Sequence, residues 1–285
     1  ESSRSDQFEQ VEKKDLADLG WDDIIGLESV KDELKMTVLY PKEMPQIYIG
    51  NRQAARGILL YGPPGVGKTM VVEVLASECG NSFFSISSAD VISKWVGDSA
   101  KNMKALFEKV KTSKPAILFI DEIEAMCPSK GDGGNVQHSG EAMKVVNEIL
   151  TQMNGLASGK EMEGVLVIGA TNYPWLMDDA ILRRFPRRIY LTLPERDDRL
   201  ALLKHLLAKN EQDIGPPLSP EDLETLANLT ELFSNSDLTE LVRYASNLTT
   251  QDIIQGNYFR LIEVPPKHAI IVCTEEEILL NPAKA

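Results

Sequence analysis

A chain of 285 residues with 43 Asp and Glu against 30 Lys and Arg carries a formal net charge of −13. Its 43% hydrophobic and 26% charged residues sit in the globular range, which excludes wholesale disorder, collagen-like repeats and coiled-coil rods. The acidic excess argues against broad binding to nucleic acid or an anionic membrane, and no apolar run approaches the roughly 20 residues that span a bilayer.

At roughly 150 residues per domain, the length predicts about two domains. Residues 1–18 are polar and charged and read as a linker or tail. The sequence opens on Glu1 rather than Met, so it reads as a piece of a longer protein, and nothing near that end resembles a secretory signal. Residues 19–194 alternate short apolar strands with amphipathic helices. Strands are expected at 57–61, 82–86, 116–120, 165–170 and 188–193, with helices near 68–79, 99–111 and 140–153. That order predicts an α/β domain, a mainly parallel sheet sandwiched by helices. The unbroken apolar run Ala116–Ile120 fits a strand buried on both faces. Past Pro194 the strand signal stops. Helical periodicity at 196–209, 219–230 and 236–247 predicts a small helical domain over 195–260, with Ser219 capping a helix that has Pro220 in its first turn. Residues 261–285 stay ambiguous, because Ala269–Val272 reads as a strand or as a packed tail. Cys79, Cys127 and Cys273 are far apart and form no Cys-x-x-Cys pair, which points to reduced thiols rather than a zinc site or disulfide framework.

Gly62-Pro63-Pro64-Gly65-Val66-Gly67-Lys68-Thr69 fits the phosphate-loop pattern G-x-x-x-x-G-K-T between a strand and a helix. Glycines let backbone amides turn inward around phosphates, and the helix N-terminus adds partial positive charge. Lys68 has the reach to bind β and γ phosphates, and the Thr69 hydroxyl is suited to Mg²⁺. The apolar strand at 116–120 runs into Asp121-Glu122, two carboxylates at the end of a central strand, where open α/β sheets bind ligands. Asp121 is expected on Mg²⁺, and Glu122 is expected to polarise the attacking water. The strand at 165–170 leads into Thr171-Asn172, and the Asn172 amide is placed to report on the γ-phosphate.

Arg183-Arg184-Phe185-Pro186-Arg187-Arg188 is a basic island in an acidic chain. It reads either as a solvated charge run or as arginine fingers, Arg183 and Arg184, that complete a neighbouring subunit's site. Lys94-Trp95-Val96 sets a large aromatic in a polar turn, where Trp95 is either a core residue or a grip on a polypeptide.

Taken together and in this order, GPPGVGKT, ILFIDEIEAM, GATNYPW and the RRF arginines resemble the AAA ATPase family over about Trp21 to Asn247. Within it, FFSISSADVISKWVGDS and AILRRFPRRIYLTLPE resemble the vacuolar protein sorting-associated protein 4 ATPases of the meiotic clade, whose near relatives are katanin, spastin and fidgetin. The resemblance implies a P-loop ATPase domain followed by a helical lid, with ATP and Mg²⁺ as cofactors. It implies a ring, usually a hexamer, that holds ATP between subunits and pulls a polypeptide through its pore. Lys94, Trp95 and Val96 match the first pore loop and residues 131–139 the second, while Ile25, Gly26 and Met70 join the phosphate loop as nucleotide contacts. The implied substrates are filament proteins such as ESCRT-III subunits. The chain would then be cytoplasmic, recruited to endosomal membranes only through its substrate. A microtubule-severing ATPase, or an ATP-binding subunit with weak turnover, are the alternatives. Two departures are expected to weaken the site: Asn235 stands where the family has a glycine, and Glu141-Ala142-Met143-Lys144 stands where it has paired arginines.

Overall fold

The computed structural model describes residues 19–48, 55–87, 100–126, 144–153, 164–208 and 218–247, and the backbone of 99, 209, 248–255, 259–264 and 267–272. The chain divides into two compact units between Thr192 and Leu193.

In the first unit, helix α1 (Glu28–Leu34) passes through a π turn at Lys35–Leu39 into the short α2 (Tyr40–Glu43). Strand β1 (Gly57–Tyr61) then leads to α3 (Lys68–Cys79), β2 (Ser82–Ser87), α4 (Ser99–Thr112) and β3 (Ala116–Asp121). A helix at 144–153, α5, precedes β4 (Val165–Thr171), the short α6 (Asp179–Leu182) and β5 (Arg187–Tyr190). The five strands form one parallel sheet in the order β2-β3-β4-β1-β5. Every residue of β4 is buried, as are the five apolar residues of β3, as a sheet covered on both faces requires. Phe83, Phe107, Phe119 and Phe185 are among the largest side chains fully withdrawn from solvent.

The sheet edge differs from expectation. β5 starts at Arg187 and ends at Tyr190, and only Ile189 is buried. This strand has one neighbour, β1, so it is an edge strand whose outward side chains stay polar. Beyond it, the Leu191 N–H donates to the Tyr61 carbonyl at 2.9 Å, after which the chain leaves the sheet.

In the second unit, α7 (Arg196–Lys209), α8 (Pro220–Leu229) and α9 (Asn235–Gln255) enclose a small core of Leu203, Ala227, Leu238 and Val242. Arg199 is buried and braces this unit. Its Nε and Nη2 donate to the Ala227 carbonyl and its Nη1 to the Pro194 carbonyl. Ser219 caps α8 and Ser234 caps α9, each paired with an aspartate three residues on. Of the two readings left open for Ala269–Val272, the structure gives the strand. β6 (Phe259–Val264) and β7 (Lys267–Val272) form an antiparallel hairpin, so a strand already begins inside the helical span expected to run to 260. The link is Pro265-Pro266 and carries no Gly or Asn, the residues that mark most hairpins in a sequence. Among the described residues, no helix is long and apolar enough to cross a membrane.

Candidate functional site

The order β3-β4-β1 brings the carboxyl ends of three strands side by side, Ile120 beside Gly169 and Tyr61 beside Thr171. Open parallel sheets bind ligands at such ends. The loop after β1 is held close to its neighbour strand's exit. A Cβ at Gly62 would overlap the Leu191 carbonyl oxygen, so only glycine fits. Gly67, at φ 94, occupies the left-handed region immediately before α3 and lets the loop's amides turn into the first helical turn. Val66 is fully buried and pins the loop from below, while Pro63 and Gly65 are half-buried and Pro64 is exposed.

Lys68 is the first residue of α3 and is buried beneath the loop. Its Nζ donates to the Gly62 carbonyl at 2.9 Å, the Pro63 carbonyl at 2.8 Å and Asn172 Oδ1 at 2.6 Å. Burial pushes the ammonium's pKa down, against the opposing attraction of Asp121 and Glu124. Thr69 Oγ1 donates to Asp121 Oδ2 at 3.1 Å, joining the helix start to the end of β3. Asp121 Oδ1 accepts the Glu122 N–H at 2.9 Å. Glu122 is exposed at φ 50, a conformation that non-glycine residues adopt rarely and that marks functional turns. Past β4, the Tyr173 N–H donates to Thr171 Oγ1 at 3.0 Å, so the turn carrying Asn172 is fixed by side chain as well as by strand.

The expected residues Lys68, Thr69, Asp121 and Asn172 are thus joined by hydrogen bonds, with Glu122 bonded into the same turn. Met70 is one-third or more exposed on α3, Ile25 is half-buried, and Gly26 sits at φ 72 before α1. Arg183 is exposed at the end of α6. Arg184 is half-buried, and its Nε has no hydrogen-bond partner among the described residues. Arg188 has a local task, since it donates to the carbonyls of Leu182 and Phe185 at 3.1 and 3.4 Å and so braces the end of α6. Lys94, Trp95, Val96, residues 131–139 and Glu141 to Met143 lie outside the described residues. Lys144 is exposed at the start of α5. Asn235 is the first residue of α9, directly after the Ser234 cap.

Sequence reasoning missed two residues here. Glu124 is buried in the 3-10 turn Ile123–Met126 and accepts the Asn172 N–H. Phe185, hidden among basic neighbours, is fully buried against Gly169. The acid at 124 was signalled only by its place between the apolar Ile123 and Ala125-Met126, and the ring only by its place inside the arginine run.

Oxygen donors from a threonine and an aspartate suit Mg²⁺, a hard cation that completes its shell with waters and phosphate oxygens. Among the described residues no group of three or more His, Cys, Asp or Glu could hold a metal alone, so an ion at Thr69 and Asp121 would depend on those further oxygens. A glycine loop at a helix start, a buried lysine and a hydroxyl-carboxylate pair joining that helix start to a strand end define a P-loop nucleotide-binding protein.

Comparison with known proteins narrows this class. The family model for the ATPase family associated with various cellular activities (AAA) matches residues 58–193. Vacuolar protein sorting-associated protein 4 of Dictyostelium discoideum is 39% identical over 255 residues, 90% of this chain and 55% of the relative. Spastin of Anopheles gambiae is 43% identical over 230 residues, 81% of this chain and 27% of the relative. A crystal structure of the FIGL-1 AAA domain in complex with ADP superposes with a TM-score of 0.73 and 35% identity, covering 83% of this chain and 75% of that one. The chain belongs to the AAA ATPase family. It spans about half the length of the vacuolar protein sorting-associated relatives it matches, 55% and 54% of the first two.

Proposed function

We propose that this chain is the ATP-hydrolysing body of a ring-forming protein remodeller. The observation that carries the reading is the meeting of Lys68 with Asn172 Oδ1 at 2.6 Å, beside the Thr69–Asp121 pair. It brings the phosphate loop, the acidic strand end and the polar strand end into one crevice. In this reading Gly62 to Thr69 hold the phosphates, and Lys68 exchanges its carbonyl partners for β and γ oxygens. Thr69 and Asp121 would hold Mg²⁺, which supplies charge neutralisation at the phosphates. Glu122 accepts a proton from the attacking water as its oxygen bonds the γ phosphorus and the bond to the bridging oxygen breaks. Asn172 orients that phosphate or water. Exposed Arg183, with Arg184, would act on the site of the next subunit, where a guanidinium stabilises charge spread over the transferring group.

The substrate reading is a filament-forming protein such as an ESCRT-III subunit, gripped by Lys94, Trp95 and Val96, which would bring the ring to endosomal membranes. It is supported by the similarity to vacuolar protein sorting-associated protein 4 over 90% of this chain. Microtubule severing is the second reading. It is favoured by the 43% identity to spastin and by the solved structure described as the structural basis for katanin self-assembly, with a TM-score of 0.68 and 35% identity. The stretch 131–140 contains no Lys or Arg, which lowers its attraction for acidic tubulin tails.

Steady-state ATPase measured with Glu122→Gln tests the chemistry. Turnover is expected to fall by about a hundredfold or more, the usual worth of a positioned general base, with ATP binding intact. Undiminished turnover would remove Glu122 from its role. Measured across protein concentrations, specific activity should rise with assembly if arginines act in trans.

A further inference from the structure

Glu124 has no part in the chemistry above, yet it sits beneath it. Its neighbours in the 3-10 turn, Ile123 and Met126, are buried core residues, and a third apolar side chain between them would satisfy the packing. Instead the position holds a carboxylate only 9% exposed. Oε1 accepts the Asn172 backbone N–H at 3.2 Å, while Oε2 is buried with no hydrogen-bond partner among the described residues. A buried anion satisfied on one oxygen is unfavourable for folding, so its presence calls for another reason.

That reason lies in what Asn172 does next. It is the first residue past β4, where the strand no longer dictates its backbone, and its side chain turns back to Lys68. Glu124 holds the backbone end of this residue and Lys68 the side-chain end, so the amide is fixed from both sides. Without the Glu124 contact, the backbone N–H of Asn172 would lose its acceptor, leaving the residue held by Lys68 at its side chain and by the Thr171–Tyr173 bond beside it.

We propose that Glu124 is a positioning residue for ATP hydrolysis, fixing the backbone of Asn172 so that its amide is presented to the terminal phosphate or the attacking water. This rests on the role given to Asn172 above. Glu124 touches no reacting atom; it acts on turnover through Asn172, while its charge also attracts Lys68, an effect read in KM rather than kcat.

The test is a double-mutant cycle on the whole chain at assembling concentrations, reading kcat, KM for ATP and melting temperature for each variant. Glu124→Met is expected to lower kcat by about tenfold to a hundredfold, the usual penalty for a slightly misplaced group, with any shift in KM assigned to the lost charge near Lys68 and melting temperature not reduced. Glu124→Gln keeps an acceptor oxygen and is expected to restore most of the lost turnover. Glu124→Asp keeps the charge but falls short of the Asn172 N–H, so it should behave like Met, and it stands in if the Met variant does not fold. In an Asn172→Ala background neither substitution should lower kcat further. Wild-type kcat in both the Met and Asp variants, alongside an impaired Asn172→Ala, overturns this inference alone. Losses that multiply with Asn172→Ala overturn it too, because Glu124 would then act by another route. Wild-type turnover in Asn172→Ala removes the role of Asn172 and the inference with it.

Discussion

Lys68 Nζ donates to Asn172 Oδ1 at 2.6 Å, a side-chain contact that ties the start of α3 to the residue past β4 across 104 positions of sequence. The same nitrogen also fills the loop, bonded to the carbonyls of Gly62 and Pro63. On the proposed function, phosphate would enter by exchange, its oxygens taking over hydrogen bonds that Lys68 now makes to the loop and Asn172.

Replacing Lys68 separates that exchange from stability. Lys68→Met should weaken ATP binding by about tenfold to a hundredfold, the worth of charge-assisted hydrogen bonds, in a titration with a fluorescent ATP analogue. The melting temperature of the nucleotide-free chain should hardly move, because burial already disfavours this ammonium.

Phe185 is the keystone of the arginine run. Its ring is fully buried, with Cζ 3.2 Å from where a Cβ on Gly169 would lie. Phe185→Ala should cost about 3–5 kcal/mol of stability in urea unfolding, the range for emptying a large aromatic site. Loss of that anchor should also lower turnover, since Arg183 and Arg184 directly precede it.

The second unit offers a test by pH. Ser234 Oγ and N–H both donate to Asp237 Oδ2, at 2.7 and 2.8 Å, and these bonds hold the Asp237 carboxyl below its ordinary value. A carboxylate with its folded pKa depressed adds stability above that ordinary value and loses it as the pH falls through the lowered one. Ser234→Ala should cost about 1 kcal/mol near neutral pH, and the difference from wild type should shrink in acid. Melting curves from neutral pH down to about pH 3, below the ordinary carboxylate range, read it directly.

Cys79 closes α3 with its side chain buried, and burial pushes its thiol pKa up. An aromatic disulfide reagent should not label it in the native chain. The number of fast-reacting thiols should be the same in wild type and Cys79→Ser, and should differ by one only after denaturation. The raised pKa sets the sign of a pH effect: the folded state keeps this proton longer, so its contribution declines as pH rises above 9.0, the ordinary thiol value.

Much of the first unit was legible because its signals are local. The run Ala116–Ile120 is apolar on both faces because the strand is covered on both, and G-x-x-x-x-G-K-T carries its own turn and helix start. Where contacts are long-range, the sequence was silent. Glu124 drew no notice, since the N–H it accepts lies 48 residues away. Arg183 and Arg184 were singled out from the basic run, but nothing local showed that Arg188 braces the carbonyls of Leu182 and Phe185. Of the hairpin β6–β7, the sequence offered Ala269–Val272 as a strand or a packed tail and missed β6, because the turn lacks the usual residues and the pairing is recognisable only once both strands are seen together.

Two glycines bracket β1, and each lies flush against the same passing segment. A Cβ on Gly57 would overlap the Arg184 carbonyl, and one on Gly62 the Leu191 carbonyl. Between these points β5 runs alongside, paired from Ile58 with Arg187 to Tyr61 with Tyr190. The phosphate loop and the segment that follows Arg183 are therefore linked by main-chain contacts at both ends of β1. A displacement of the loop would reach the backbone that carries Arg183 through main-chain contacts rather than through side chains.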